Sequence, residues 1–266
     1  MTTETLPTTA PGPYRITPAR VLRSEWHKLR SLRSSWTTLA SASVLILGVG
    51  LLMGTTYTSD GGDSDIDTVV LVLYGSLLAA PCVAVLAVLM TAGEYATGMI
   101  RASLTAVPRR LPVLWAKAAV LTATVFTTML ATCLLTFVLA QTWLQDTDQA
   151  ASLTDPGVFG AITGTAVGIT LLSLIGLGLG ALLRSVPGAI GAYIGGVLVL
   201  PQILAALPYE SLRTALAYGP TRAAAALGSA TPSPGDASTA GALLALCLWA
   251  GAILGCAALL LRRRDA

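Results

Sequence analysis

The chain has 266 residues, of which 54% are hydrophobic and 11% charged. Soluble domains carry about a quarter charged residues, so this balance excludes an ordinary soluble domain and places the chain among α-helical membrane proteins. The net charge of +3 says little as a total; its placement along the chain says more.

Residues 1–17 read as a disordered tail, Thr/Pro-rich up to Pro13. Thr17 and Pro18 then suit the N-cap and first turn of a helix over residues 18–35. Leu22, Trp26, Leu29, Leu32 and Trp36 repeat at three or four, and Arg20, Arg23, His27 and Arg30 form a second stripe. This is the pattern of a helix lying in the membrane interface, with Arg33 snorkelling to reach water. Crossing the hydrocarbon layer takes about 20 helical residues. Six stretches qualify, at about 36–56, 69–92, 118–144, 158–183, 186–207 and 240–261. The long basic segment before the first of them, with no small-x-small site after it, favours a retained anchor over a cleavable signal.

Residues 94–110, between spans two and three, are too polar to cross and carry a helical spacing of Tyr95, Met99, Ala102 and Val107 up to Pro108. A short helix outside the membrane is expected there. Its Glu94 lies at the membrane edge, where Arg101 or a partner's arginine is the expected counter-charge. Arg184 and Ser185 alone separate spans four and five, which predicts a tight turn with Pro187 starting the next helix. Before the last span, residues 208–217 and 221–227 read as a helix pair broken at Tyr218–Pro220. A loose Pro/Gly/Ser connector follows, and the tail 262–266 ends the chain.

The charges alternate with the spans. Arg20, Arg23, Lys28, Arg30 and Arg33 fall on one side with Arg101, Arg109, Arg110, Lys117, Arg184 and Arg262–Arg264. The other side holds only Arg213 and Arg222 among many aspartates. Basic loops stay in the cytoplasm, so both termini are expected there.

Much chemistry is missing. There is no Gly-Lys dipeptide, hence no phosphate-binding P-loop. His27 is the single histidine, and the four cysteines lie in apolar stretches without a CxxC pair, so no metal cluster or disulfide framework is expected. Gly176-x-Gly178-x-Gly180 lacks the strand a dinucleotide fingerprint requires. No ionisable residue falls inside a span as drawn, unlike ion-coupled carriers or membrane hydrolases. Gly160, Gly164, Gly168, Gly176 and Gly180 repeat at multiples of four along span four, and Gly191/Gly195 and Gly251/Gly255 repeat the spacing. Small residues so spaced let helices approach closely.

Three features together resemble the membrane subunits of ABC-2-type transporters, the type V exporter architecture, in the actinobacterial style. They are Ser24-Glu-Trp-His-Lys-Leu-Arg30 before span one, Gly93-Glu-Tyr-Ala-Thr-Gly-Met-Ile-Arg101 with Pro108-Arg-Arg110 and Ala116-Lys117 after span two, and Gly176-Leu-Gly-Leu-Gly-Ala-Leu-Leu-Arg-Ser185. The resemblance implies an all-α, six-span protein with an N-terminal connecting helix (Arg20, Arg23, Trp26, Arg30). It implies a cytoplasmic coupling helix that docks on an ATPase (Glu94, Tyr95, Gly98, Met99, Arg101, Arg109, Arg110) and an external helix pair before the last span. ATP and Mg would then sit on a separate ABC ATPase, present in two copies, with no cofactor in this chain. A second membrane subunit, identical or paralogous, completes the expected assembly in the plasma membrane, and no nucleic-acid partner is expected. The implied activity is export of a lipophilic or amphipathic drug, peptide or lipid by a subunit that is not itself an enzyme. A non-transporting sensor or immunity module is the alternative.

Overall fold

A computed structural model describes residues 17–58, 66–96, 98, 110–231 and 235–263, the side chain of residue 110 excepted. The order is α1 (Pro18–Ser31), α2 (Arg33–Thr56), α3 (Thr68–Val72), α4 (Ser76–Ala96), α5 (Arg110–Leu144), α6 (Val158–Leu183) and α7 (Val186–Ala192). A π-helical segment (Tyr193–Val199), α8 (Leu200–Ala205), α9 (Glu210–Leu216), α10 (Pro220–Leu227) and α11 (Thr239–Arg263) follow. No strand occurs among the described residues. Six helices are long and apolar enough to span: α2, α4, α5 from Leu111, α6, the run Val186–Ala205, and α11. The protein is therefore an all-α polytopic membrane protein.

Chain breaks have local causes. Leu32 is extended (φ −82°, ψ 108°), which separates α1 from α2. Thr17 ends in the expected place, yet its hydroxyl makes no cap; its carbonyl accepts from the Arg20 and Val21 amides instead. The second span starts at Ser76 rather than near Val69. Asp67 caps the five-residue α3, and the chain turns at Leu73–Gly75 before α4 begins. A Cβ on Gly75 would stand 2.8 Å from Ile46 Cα, so the turn packs flush on α2. The third span is longer than expected. Its 35 residues cover about 50 Å at 1.5 Å each, against about 30 Å of hydrocarbon, so the helix is longer than a span requires.

Between α6 and α7, Arg184 takes the left-handed conformation (φ 52°), and the Ser185 side chain accepts from the Gly188 amide as N-cap, with Pro187 in the first turn. The fifth span is not a uniform α-helix. Pro201 lacks the N–H that would extend the α ladder, and the turn before it widens so that the Leu200 amide reaches Gly195 O.

Helix α6 is the centre of the bundle, packed by α4, α5, α10 and α11. Its glycines make this possible at two levels. Gly164 and Gly168 face Leu227 and Ala224 of α10, while Gly176 and Gly180 face Ala84 and Val88 of α4. A Cβ on Gly176 would stand 2.7 Å from Ala84 O, a contact with backbone that cannot swing away. Gly178, between them, meets Ile253 of α11. Gly160, Gly191, Gly195, Gly251 and Gly255 face open space, so their spacing serves no close contact among the described residues. Helix α10 thus descends into the bundle beside α6, whereas α9 buries no residue.

The end of the bundle away from α1 is tied by polar contacts. Asp67 Oδ1 accepts from the Val69 and Val70 amides, and Oδ2 from Ser229 Oγ (3.1 Å), Thr231 Oγ1 (2.8 Å) and the Thr231 amide (2.6 Å). Tyr57 donates to Asp148, and Thr68 to Gln149.

Candidate functional site at the α1 end of the bundle

Helix α1 presents three faces. Val21, Glu25 and Leu29 recur at four residues and are buried, with Lys28 half-buried beside them. Leu22 and Trp26 form an exposed apolar strip, and Arg20, Arg23, His27 and Arg30 an exposed basic one. The sequence reading placed Leu29 on the lipid-facing stripe. It belongs instead to the bundle-facing set, where Val21 packs on Val113 and Ala116 of α5.

Glu25 on that buried face belongs to a ring of four charges. Lys28 Nζ lies 2.7 Å from Glu25 Oε1 and 3.0 Å from Glu94 Oε1. Lys117 Nζ lies 2.6 Å from Glu25 Oε2 and 2.7 Å from Glu94 Oε1. The two carboxylates and two ammoniums alternate around a ring that joins α1, α4 and α5. Glu25, Glu94 and Lys117 are only 3%, 8% and 4% exposed. Burial works against the charge on Lys28, but its hydrogen bond to Glu25 and the fields of Glu25 and Glu94 outweigh it and hold its pKa above the usual 10.5. Two charges of each sign cancel, which is the condition for keeping ions out of water. Removing one partner of such a pair costs roughly 3–5 kcal/mol, because the other stays buried without a counter-charge.

Among the described residues the counter-charges of Glu94 are Lys28 and Lys117; Arg101, the expected one, lies outside them. The helices run beyond the spans as drawn, so Glu94 and Lys117 are integral to α4 and α5 and buried at their ends, while the middle of each span carries no charged side chain, as expected. The signal for Glu25 was present in Val21-x-x-x-Glu25-x-x-x-Leu29, which puts a carboxylate between two apolar residues on one face.

The other expected positions are spread around this ring. Arg184 Cζ lies 5.0 Å from the centre of the Tyr95 ring, a cation–π contact that links the end of α4 to the end of α6. Gly98 has φ +72°, a left-handed conformation that favours glycine just beyond α4. Arg110 opens α5. Met99, Arg101 and Arg109 lie outside the described residues, as does most of the expected coupling helix. Among the described residues no group of three or more His, Cys, Asp or Glu side chains is arranged to hold a metal ion.

A family model for ABC-2 family transporter proteins matches residues 21–186, from α1 to the start of α7 and including all four members of the charge ring. A search of curated proteins gives no match. The match covers well over half of a helical bundle with six membrane-length helices, and the chain belongs to the ABC-2 transporter family.

Proposed function

We propose that the chain is the membrane-spanning permease subunit of an ATP-driven exporter, in which separate ATPase subunits bind ATP and Mg and carry out the hydrolysis. The family match carries this reading. Two permease subunits, identical or paralogous, and two ATPase subunits make the assembly. The cargo is lipophilic or amphipathic, since the spans offer apolar walls and a strongly charged solute would find few partners at depth. The site is the plasma membrane, with both termini in the cytoplasm by the placement of basic residues. That orientation puts α1 and the charge ring on the cytoplasmic side.

The ring supports a mechanical role for residues 94–110. This segment joins the end of α4 to the start of α5, and its two flanks carry Glu94 and Lys117. Both belong to the ring that includes Glu25 of α1. A displacement of the segment by an ATPase therefore reaches α1, α4 and α5 together, and α6 through Tyr95 and Arg184. Rigid elements joined by charge pairs of this kind pass on motion better than flexible loops do.

Co-expression with candidate ABC ATPases tests the reading. The chain should copurify with one of them, and native mass spectrometry should show two copies of each. A correctly inserted chain that stays free of every candidate ATPase would contradict it.

A further inference from the structure

Going round α1 at about 100° per residue, four faces follow one another. Val21, Glu25 and Leu29 turn into the bundle. Leu22 and Trp26 come next, both exposed. Arg30, Arg23 and His27 follow, opposite the bundle, and the exposed Ser24 and Ser31 close the circle. This order fixes how the helix sits. The membrane-length α2 begins after the single extended residue Leu32, and Trp36 of α2 donates its indole N–H to Arg30 O (3.1 Å), which closes the corner between the two helices. With one face held by the bundle and the apolar strip on the lipid side, the serines point to water. The basic strip then points outward, level with the headgroups of the surrounding lipid. Charge sorting sets it apart from an ordinary basic flank. Glu25 is the one acid of α1, and it is turned inward and balanced by Lys28 and Lys117. Arg23 and Arg30 make no ion pair among the described residues. No exposed acid on α1 offsets the strip.

We propose that this outer face of α1 is a binding surface for anionic phospholipid, with Arg23 and Arg30 on the headgroup phosphates and Leu22 and Trp26 among the upper acyl segments. The two arginines stand seven residues apart, about 10 Å along the helix, so each can hold a different headgroup. A guanidinium meets phosphate oxygens in a two-point contact. Net charge is what selects the lipid. A zwitterionic headgroup offers the same phosphate, but its ammonium is repelled by the strip, whereas an anionic one is attracted by every cation on it. Lipid held there also steadies α1 on the bundle, because the opposite face of the same helix carries Val21 against Val113 and Ala116 and Glu25 against Lys117. The surface needs only a bilayer around the bundle. It depends on neither an ATPase, nor a cargo, nor which end of the bundle faces the cytoplasm.

Photolabelling of the purified full chain in phosphatidylcholine nanodiscs tests the surface. The discs contain a minor fraction of either phosphatidylglycerol or phosphatidylcholine bearing a diazirine near the head of one acyl chain. Labelling is read by mass spectrometry at residues 19–30, with residues 240–252 of α11, an exposed apolar stretch without basic residues, as the internal reference. The phosphatidylglycerol probe should be preferred at residues 19–30 roughly fivefold, the weight of about one basic residue at an anionic surface, and not at the reference. The preference should shrink in high salt. Arg23→Gln with Arg30→Gln should abolish it, and Arg23→Lys with Arg30→Lys should keep most of it. All three proteins should unfold at the same temperature in pure phosphatidylcholine. Phosphatidylglycerol should raise that temperature for the wild type and the lysine variant but not for the glutamine variant. Glycerol phosphate in the buffer should not compete. Equal ratios at the two stretches, a preference that survives the glutamine variant, or competition by glycerol phosphate would each overturn the proposal.

Discussion

Lys117 Nζ lies 2.6 Å from Glu25 Oε2, so the start of α5 holds a residue of the N-terminal helix 92 positions earlier in the chain. Both side chains are almost wholly buried. This pair, together with Lys28 and Glu94, makes α1 part of the bundle rather than a helix that merely floats beside it.

Lys117→Met should therefore destabilise the protein by roughly 3–5 kcal/mol, seen as a lower unfolding temperature in detergent. Adding Glu25→Gln removes the carboxylate left behind. The double variant should be more stable than the sum of the two single effects by roughly 0.5–3 kcal/mol. Strict additivity would mean that the two residues do not interact.

Asp67 gives a pH dependence at the opposite end. Burial raises its pKa, but the hydrogen bonds from Thr231, Val70 and Val69 outweigh that and hold it below the usual 3.8. The native state thus favours the carboxylate. The stabilisation is complete well above pH 3.8 and is lost as pH falls through the lower native value. The protection factors of the backbone amides near Ser229–Thr231, corrected for the intrinsic pH dependence of exchange, should be high at neutral pH and fall only as pH drops below 3.8. In Asp67→Asn they should be low throughout and lack that step.

The glycines of α6 separate into two kinds. Gly176→Ala drives a Cβ toward Ala84 O and should cost about 1–3 kcal/mol. Gly160→Ala meets open space and should be neutral or stabilise by about 0.5–1 kcal/mol through helix propensity. Equal effects on thermal unfolding would show that close packing of α4 on α6 is not what Gly176 provides.

The proposed orientation is checked with single cysteines in a cysteine-free background. Asp148→Cys should react with an impermeant thiol reagent in intact cells, and Ser31→Cys should not. Labelling of Ser31→Cys from outside would reverse the assignment of sides.

The six spans were legible because apolar run length is a property of sequence alone, and the Arg184–Ser185 turn was legible because its capping and proline signals are local. The split at α3 was not, because it depends on Gly75 packing against α2. The widened turn before Pro201 likewise needs the backbone geometry of a whole helix. The charge ring was half legible. Glu94 and Lys117 stood out beside the spans, but their pairing with Glu25 and Lys28 is a tertiary contact between distant segments. Glu25 was hidden by Arg23, His27 and Arg30, its neighbours on the exposed basic strip of α1.

The central claim, that this chain does membrane work with energy from a partner, is tested most directly by ATP turnover in reconstituted vesicles. The chain alone should neither bind nor hydrolyse ATP. With its cognate ATPase it should support vanadate-sensitive turnover, and Glu94→Ala should lower the cargo moved per ATP. Robust hydrolysis by the chain alone, or turnover by the ATPase that is indifferent to the chain's presence, would contradict the account.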